Sequence, residues 1–398
     1  MRELLIKQVE DKEYIYLIES NHLVEQYVQS EENQTIEGNI YVGKVQNVIN
    51  GLQAAFVDLG IPKKAFIHLK DILPKVDILK EESVNHDNLK ISDYIKSGEP
   101  IIVEVKRDST ESKGPRLSTH INFKGRFIAY MPNATFITVS QKITDTKKRE
   151  ELTNIVKKYL PKGTGAIIRT IAENATEDQI KADIEYLVER WNKVTSQKVT
   201  KYPKLIYDAG GMLRKIIVDI IDYGIDKIVI NSKALEKKIN TILKELNMTV
   251  PIEITDEDID EMYDIKKEID LIGKRKIWLD NGAFITIEKT EALTVIDVNS
   301  GKFVGKNKVE DTIFQVNKEA TIEIARQLRL RDIGGIVVVD FIDMPNGDTK
   351  EKLREVIKNE SLKDRSKVQI EEFTRLDLLE LTRKHICGKM ENWKWKVN

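Results

Sequence analysis

The sequence predicts a multidomain protein of mixed α/β and α+β class, and three observations carry that reading. A chain of 398 residues is long for one core, and length alone suggests about two to four domains. Between Gly38 and Val105, short apolar runs are punctuated by Gly43, Gly51 and Gly60, the texture of a small closed barrel. From Thr294 onward, an apolar strand, a helix with three- and four-residue apolar spacing and a second apolar strand follow one another. That order is the crossover of a parallel strand pair.

Each element has its own signal. Strand-like runs at 3–9 and 14–19 flank the polar Glu10-Asp11-Lys12-Glu13 and predict a hairpin. Runs at 40–48, 53–58, 65–68 and 100–105 predict a barrel of the OB type, with the polar 77–96 as an insertion or helical detour. Tyr41, Phe56 and Phe66, with Lys44, Lys63, Lys64, Lys106 and Lys113 nearby, pair aromatic faces with cations as single-stranded nucleic acid requires. Aromatics filling the barrel core are the competing reading. Further on, 123–130 reads as a strand, 146–159 as a helix, 163–170 as a glycine-led strand and 174–194 as a helix with Ile180, Ile184, Leu187 and Trp191 on one face. Pro203 and Gly210-Gly211 make 198–211 a connector. A helix at 213–222, strands at 227–230 and 252–254 around a helix at 233–246, and an acidic helix at 256–271 bearing Ile259, Met262, Ile265 and Ile269 follow. The last region begins at Lys274 with strands at 276–279, 283–288 and 294–298 and a loop over 300–308. Ile313, Val316, Ala320, Ile324 and Leu328 then mark a long helix stopped by Gly334-Gly335, before a strand at 336–342.

Composition narrows the partners. Lys and Arg number 64 against 65 Asp and Glu, so the net charge is −1 and any polyanion must be held by local patches. No apolar run is long enough to span a bilayer, and Met1-Arg2-Glu3-Leu4-Leu5-Ile6 is unlike a secretory signal. Cys387 is the single cysteine, which rules out an intramolecular disulfide. These features predict a cytoplasmic protein with no membrane partner.

The chemistry concentrates at two strand ends. Asp297 and Asp340 each close a strongly apolar run, where an unpaired carboxylate is costly. A divalent cation between two such acids makes them tolerable and leaves positions open for water and a phosphate. Strand alternation puts Asn299 on the face of Asp297, suited to orienting it, and puts Asp343 opposite Asp340, which favours Asp340 as the ligand. Turn capping by these acids is the plainer reading. Lys302, Lys306 and Lys308 follow Asn299, and Arg326, Arg329 and Arg331 lie near the helix end. That basic set fits a polyanionic substrate, although arginines in a last helical turn also complement the helix dipole.

At this point a resemblance is evident. Thr294-Val295-Ile296-Asp297-Val298-Asn299-Ser300-Gly301 and the stretch from Glu323 through Gly334-Gly335 to Asp340-Phe341-Ile342-Asp343-Met344 closely resemble the catalytic core of the ribonuclease E/G family. Asn39-Ile40-Tyr41-Val42-Gly43-Lys44 and Ala54-Ala55-Phe56-Val57-Asp58 resemble its S1-type barrel, and Ile168-Arg169-Thr170 its sensor of RNA 5′ ends. The resemblance implies a magnesium-dependent endoribonuclease, manganese being the alternative metal, that cuts single-stranded A/U-rich RNA. It would leave a 5′-phosphate on the downstream product, respond to a 5′-monophosphate end and serve RNA processing and decay. It implies metal ligation by Asp297 and Asp340 with help from Asn299, RNA contacts at Phe56, Phe66 and Lys113, and a 5′-phosphate pocket at Gly125, Arg169 and Thr170. The architecture implied is an RNase H-like domain split between 1–36 and 213–273, an S1-type OB domain at 37–122, a 5′-sensor region and connector at 123–212, and a DNase I-like catalytic domain at 274–398.

One departure stands out. Thr382-Arg383-Lys384-His385-Ile386-Cys387-Gly388 has a single thiol where the family carries a Cys-Pro-x-Cys zinc motif, so no zinc is expected and homodimerisation is left open. The shorter ribonuclease G type is the better match. Two other classes compete: a noncatalytic RNA-binding factor using the barrel, and a metal-dependent phosphoesterase acting on small molecules. Arg375 and Arg383 are further candidates for holding substrate.

Overall fold

The computed structural model describes residues 1–30, 34–72, 90–109, 113–220, 223–302, 309–344 and 346–386. Two compact units emerge from its contacts, one of Met1–Val28, Ile225–Lys237 and Val250–Asn398, the other of Gln29–Gly224 and Lys238–Thr249.

The chain opens with β1 (Arg2–Val9), β2 (Lys12–Glu19) and β3 (His22–Ser30). Val9 pairs with Lys12, so the predicted hairpin turns on two residues only, with Glu10 at φ 53°. β3 escaped the sequence reading because residues 23–27 are buried consecutively and include Glu25 and Gln26, leaving no period of two to detect.

The second unit begins with the barrel. β4 (Ile40–Ile49), β5 (Ala54–Asp58), β6 (Ala65–His68), β7 (Pro100–Arg107) and β8 (Arg116–Ser118) run in the order β4-β5-β6-β8-β7, and β4 also pairs with β7, closing the ring. Val45, Ala55, Val57, Ile67, Val103, Val105 and Leu117 fill its core. Most of the predicted insertion at 77–96 lies outside the described residues. At Gly114 a Cβ would lie 1.8 Å from the Lys64 carbonyl oxygen, so the close approach of the two segments requires glycine.

Next come β9 (Phe123–Lys124), β10 (Ile128–Met131), β11 (Ile137–Val139), α1 (Thr146–Tyr159), β12 (Gly165–Ile168), α2 (Glu177–Thr195), β13 (Lys204–Tyr207) and α3 (Gly211–Ile220). The strand expected at 123–130 is broken at Gly125. The connector expected at 198–211 contains β13, which pairs antiparallel with β4, an edge pairing that Pro203 permits by standing just outside the strand. Leu152 and Val156 of α1 and Ile180, Ile184 and Leu187 of α2 are buried together, as the helical spacing predicts.

From Ile225 the chain returns to the first unit, with Lys238–Thr249 counted in the second. β14 (Lys227–Ile230) pairs parallel with β1, α4 (Lys233–Glu245) follows, and β15 (Ile252–Ile254) extends the sheet to β15-β14-β1-β2-β3. The single acidic helix expected at 256–271 is two, α5 (Ile259–Met262) and α6 (Ile265–Ile272), because Asp264 takes a left-handed conformation at φ 51°. A six-stranded sheet completes the unit: β16 (Lys276–Trp278), β17 (Phe284–Lys289), β18 (Leu293–Asn299), α7 (Val309–Leu330), β19 (Gly335–Asp340), α8 (Gly347–Ser361), β20 (Val368–Phe373) and β21 (Leu378–Arg383). Its order is β16-β17-β18-β19-β21-β20, with β18 and β19 parallel. Ile285, Ile287, Ile296, Val298, Val337, Val339, Leu379 and Leu381 pack with Val316, Ala320, Ile324 and Leu328 of α7 and Leu353 and Ile357 of α8. Burial of each such Val, Leu or Ile side chain contributes about 1.5–3 kcal/mol.

The end of α7 corrects one expectation. Asp332, at φ 44°, reverses the chain, and the Ile333 N–H bonds the Leu328 carbonyl at 3.0 Å. Asp serves as the left-handed residue that glycine usually supplies, and Gly335 instead opens β19.

Candidate active site

One face of the β16–β21 sheet packs on helices, so the alternating residues form the other face. Asp297 pairs in register with Asp340 across the parallel strands, Thr286 stands opposite Asp297 and Phe284 opposite Asn299. Asp297 and Asn299 are half-buried and Asp340 is exposed. The Asn299 amide donates from Nδ2 to Asp297 Oδ2 at 2.6 Å, so all three predicted residues meet at one sheet edge. Burial, then the carboxylates of Asp297 and Asp343, push the Asp340 carboxyl above its ordinary value.

The parity argument that set Asp343 aside rested on a strand reaching Ile342, and the strand stops short of it. β19 ends at Asp340, so strand alternation does not extend to Asp343, and its charge acts on the same site. Among the described residues no group of three or more His, Cys, Asp and Glu side chains could hold a metal ion. The oxygens gathered at this sheet edge are those of two in-register carboxylates and the amide bonded to one of them. Carboxylate and amide oxygens are the ligand type that hard divalent ions take.

The arginines near the helix end serve the fold. Arg326 pairs with Glu323 and Glu268 and donates to the Leu23 carbonyl. Arg329, only 7% exposed, bridges Glu19 and Glu25 at 2.9 and 3.0 Å. Arg331 bonds Gln327 and the carbonyls of Leu271 and Lys274. With their donors committed to buried partners, they form no basic patch, and the dipole alternative understates their role in tying α7 to the rest of its unit. Arg383 is likewise buried against Asp364 and Asp332, which removes it as a substrate contact, whereas Arg375 is exposed. Lys302 is exposed, and Lys306 and Lys308 lie outside the described residues.

In the second unit, Gly125, Arg169 and Thr170 come together. Arg169 donates to the carbonyls of Gly125 at 2.8 Å and Val218 at 2.6 Å, and the Thr170 hydroxyl lies 2.9 Å from that of Ser140. Sequence reasoning missed Asp183 of α2, whose carboxylate accepts N–H bonds from Arg126, Phe127 and Ile128 at 2.8–3.1 Å. This cap fixes the break after β9. A Cβ on Gly125 would sit 2.5 Å from Asp183 Oδ1, so the glycine lets the two segments meet. The available signal was an acid three residues after Ile180 on the buried side of α2.

On the barrel, Phe56 and Phe66 stand directly opposite each other, half-buried, with ring centroids 6.1 Å apart in an edge-to-face arrangement. Lys113 is exposed. Tyr41 is corrected: it is 6% exposed and belongs to the barrel core. Lys106 is paired with Glu104 at 2.6 Å.

A model of the ribonuclease E/G family matches residues 122–386, and one of the S1 RNA binding domain matches 34–120. The chain belongs to the ribonuclease E/G family. It is 36% identical to ribonuclease G of Salmonella typhimurium (strain SL1344) and 35% identical to that of Escherichia coli (strain K12), each over 98% of this chain and 81% of the relative. Ribonuclease E of Synechocystis sp. (strain ATCC 27184 / PCC 6803 / Kazusa) is 33% identical over 91% of this chain and 54% of its own length. In this member of the ribonuclease E/G family, His385 Nδ1 lies 2.9 Å from the Asp332 carbonyl oxygen, and Cys387 falls outside the described residues. No helix among the described residues is long and apolar enough to cross a membrane.

Proposed function

We propose that this protein is a metal-dependent endoribonuclease that cuts single-stranded, A/U-rich RNA, leaves a 5′-phosphate on the downstream product and works faster on RNA with a 5′-monophosphate. The observation that carries this reading is the register pairing of Asp297 with Asp340, with Asn299 bonded to Asp297, in a chain of this family. Asp297 and Asp340 would hold magnesium, or manganese in its place, and zinc has no assigned part. When bound, such an ion supplies Lewis acidity toward a phosphodiester oxygen and offsets the negative charge of the reacting phosphate.

The chain's own residues do the rest. Asn299 restrains the Asp297 carboxylate in one orientation, which raises its value as a ligand. Phe56 and Phe66 offer faces on which bases stack, and Lys113 offers charge for the backbone. Arg169, its guanidinium held in place by the carbonyls of Gly125 and Val218, offers a fixed positive charge to a terminal phosphate, and the adjacent Thr170 a hydroxyl. Separate grips on the strand and its end raise affinity through effective concentration.

In this proposal 1–36 with 213–273 form an RNase H-like domain, 37–122 the S1-type domain, 123–212 the sensor region and connector, and 274–398 a DNase I-like domain. The enzyme would act in RNA processing and decay in the cytoplasm, and its state of association is left open. Incubation with 5′-monophosphorylated and 5′-triphosphorylated oligoribonucleotides, with and without magnesium, tests it. Internal cutting that needs the metal and favours the monophosphate is expected. RNA bound but never cut would replace the proposal with a noncatalytic binding factor.

A further inference from the structure

We propose that Trp278, with Phe284 and Lys276, forms a stacking step for one nucleobase of the RNA strand whose backbone reaches the acid pair. This deepens the endoribonuclease reading and rests on it. The placement follows from register. Trp278 pairs with Phe284 and Phe284 with Asn299, so one row across three strands runs from an exposed indole to the amide that orients Asp297. The neighbouring row runs Lys276, Thr286, Asp297, Asp340. Directly opposed residues share a face, so the aromatic pair and the acids look to the same side of the sheet. Two strand spacings separate Trp278 from Asn299, roughly 10 Å.

The chemistry fits a nucleotide better than an apolar partner. Trp278 is 54% exposed, and its ring lies 5.1 Å from that of the half-buried Phe284 at an interplanar angle of 59°. Phe284 thus braces the indole while leaving much of it open. The Lys276 ammonium lies 4.1 Å from the Trp278 ring centroid and 3.5 Å from that of Phe284. It has no carboxylate partner among the described residues, so its charge is available to a phosphate. An aromatic face with an adjacent cation is the unit by which proteins hold unpaired nucleotides. β16 is also the edge strand of the sheet, which leaves the approach open on its outer side.

The test is a cycle between protein and substrate with the full chain. Trp278→Ala and Trp278→Phe are compared with the wild type on a 5′-monophosphorylated oligoribonucleotide with one cut site, and on a series carrying a single abasic residue at successive positions beside the cut. Trp278→Ala should lower kcat/KM roughly 5- to 150-fold, Trp278→Phe should restore most of the loss, and one abasic position should cost the wild type much and Trp278→Ala nothing further. Anisotropy of the same oligonucleotides without magnesium applies the same cycle to binding, whether or not the chain cuts RNA. Penalties that multiply at every position, or a variant equal to the wild type, would overturn the stacking step while leaving the nuclease standing. An intact binding cycle in a wild type that cuts nothing would do the reverse. A change of mass in sedimentation equilibrium with multiplying penalties would assign this face to contact between copies of the chain.

Discussion

Asn299 holds Asp297 through a single hydrogen bond of 2.6 Å between Nδ2 and Oδ2, and Asp297 in turn stands in register with Asp340 on the adjoining parallel strand. This relay makes the amide a positioning group for the acid pair. Asn299→Ala should reduce cutting by about 10–100-fold, and more of the loss should be recovered as magnesium is raised than for Asp297→Asn or Asp340→Asn. Initial rates over a magnesium series check this. An unchanged metal requirement in Asn299→Ala would remove the positioning role.

Phe56 and Phe66 are paired across two barrel strands and half-buried, whereas Tyr41 is buried in the barrel core. Phe56→Ala or Phe66→Ala should therefore weaken single-stranded RNA binding by about 1–3 kcal/mol with little change in Tm. Tyr41→Ala should lower Tm by opening a cavity. Paired anisotropy and thermal unfolding measurements separate the two kinds of effect.

Arg169 spends donors on two carbonyls, at Gly125 and Val218, and a lysine cannot reproduce that planar fork. Arg169→Lys should abolish most of the preference for a 5′-monophosphate while sparing cutting of RNA with a 5′-hydroxyl. The ratio of rates on the two substrates is the readout, and a ratio equal to the wild type's would take Arg169 out of end recognition.

Glu25 is wholly buried between Arg329 and Arg365, with Tyr27 donating to it at 2.7 Å. Burial alone would raise its carboxyl, but the two guanidinium groups prevail and hold it down from 4.5 to about 2. A depressed acid favours folding above its unfolded value, and that contribution fades as pH falls from about 4.5 through about 2. The folded state should lose about 3 kcal/mol over this window, seen as a falling denaturation midpoint between pH 5 and pH 2. Glu25→Gln should flatten the slope and cost about 3–5 kcal/mol at neutral pH by leaving two buried cations short of an anion.

The sequence by itself determined the elements whose period is local. The α7 stripe from Ile313 to Leu328, the barrel strands between glycines, and the two apolar runs ending in Asp297 and Asp340 were legible because side-chain alternation and helical spacing are properties of a few consecutive residues. Residues 347–383 carry the same kind of signal, Leu353 and Ile357 one helical turn apart in α8 and Leu379 and Leu381 alternating in β21, but it is short and drew no prediction, and β3 hid its strand period under continuous burial. What only the tertiary structure decided depends on partners far apart in the chain. Arg326, Arg329 and Arg331 read as a basic patch until Glu19, Glu25 and Glu268 were brought against them. Gly125 became intelligible through Asp183, and Trp278 through its register with Phe284 and Asn299. Charge, hydrogen bonding and stacking are decided by distance in space, which a linear pattern does not encode, whereas backbone periodicity is decided by sterics between near neighbours, which it does.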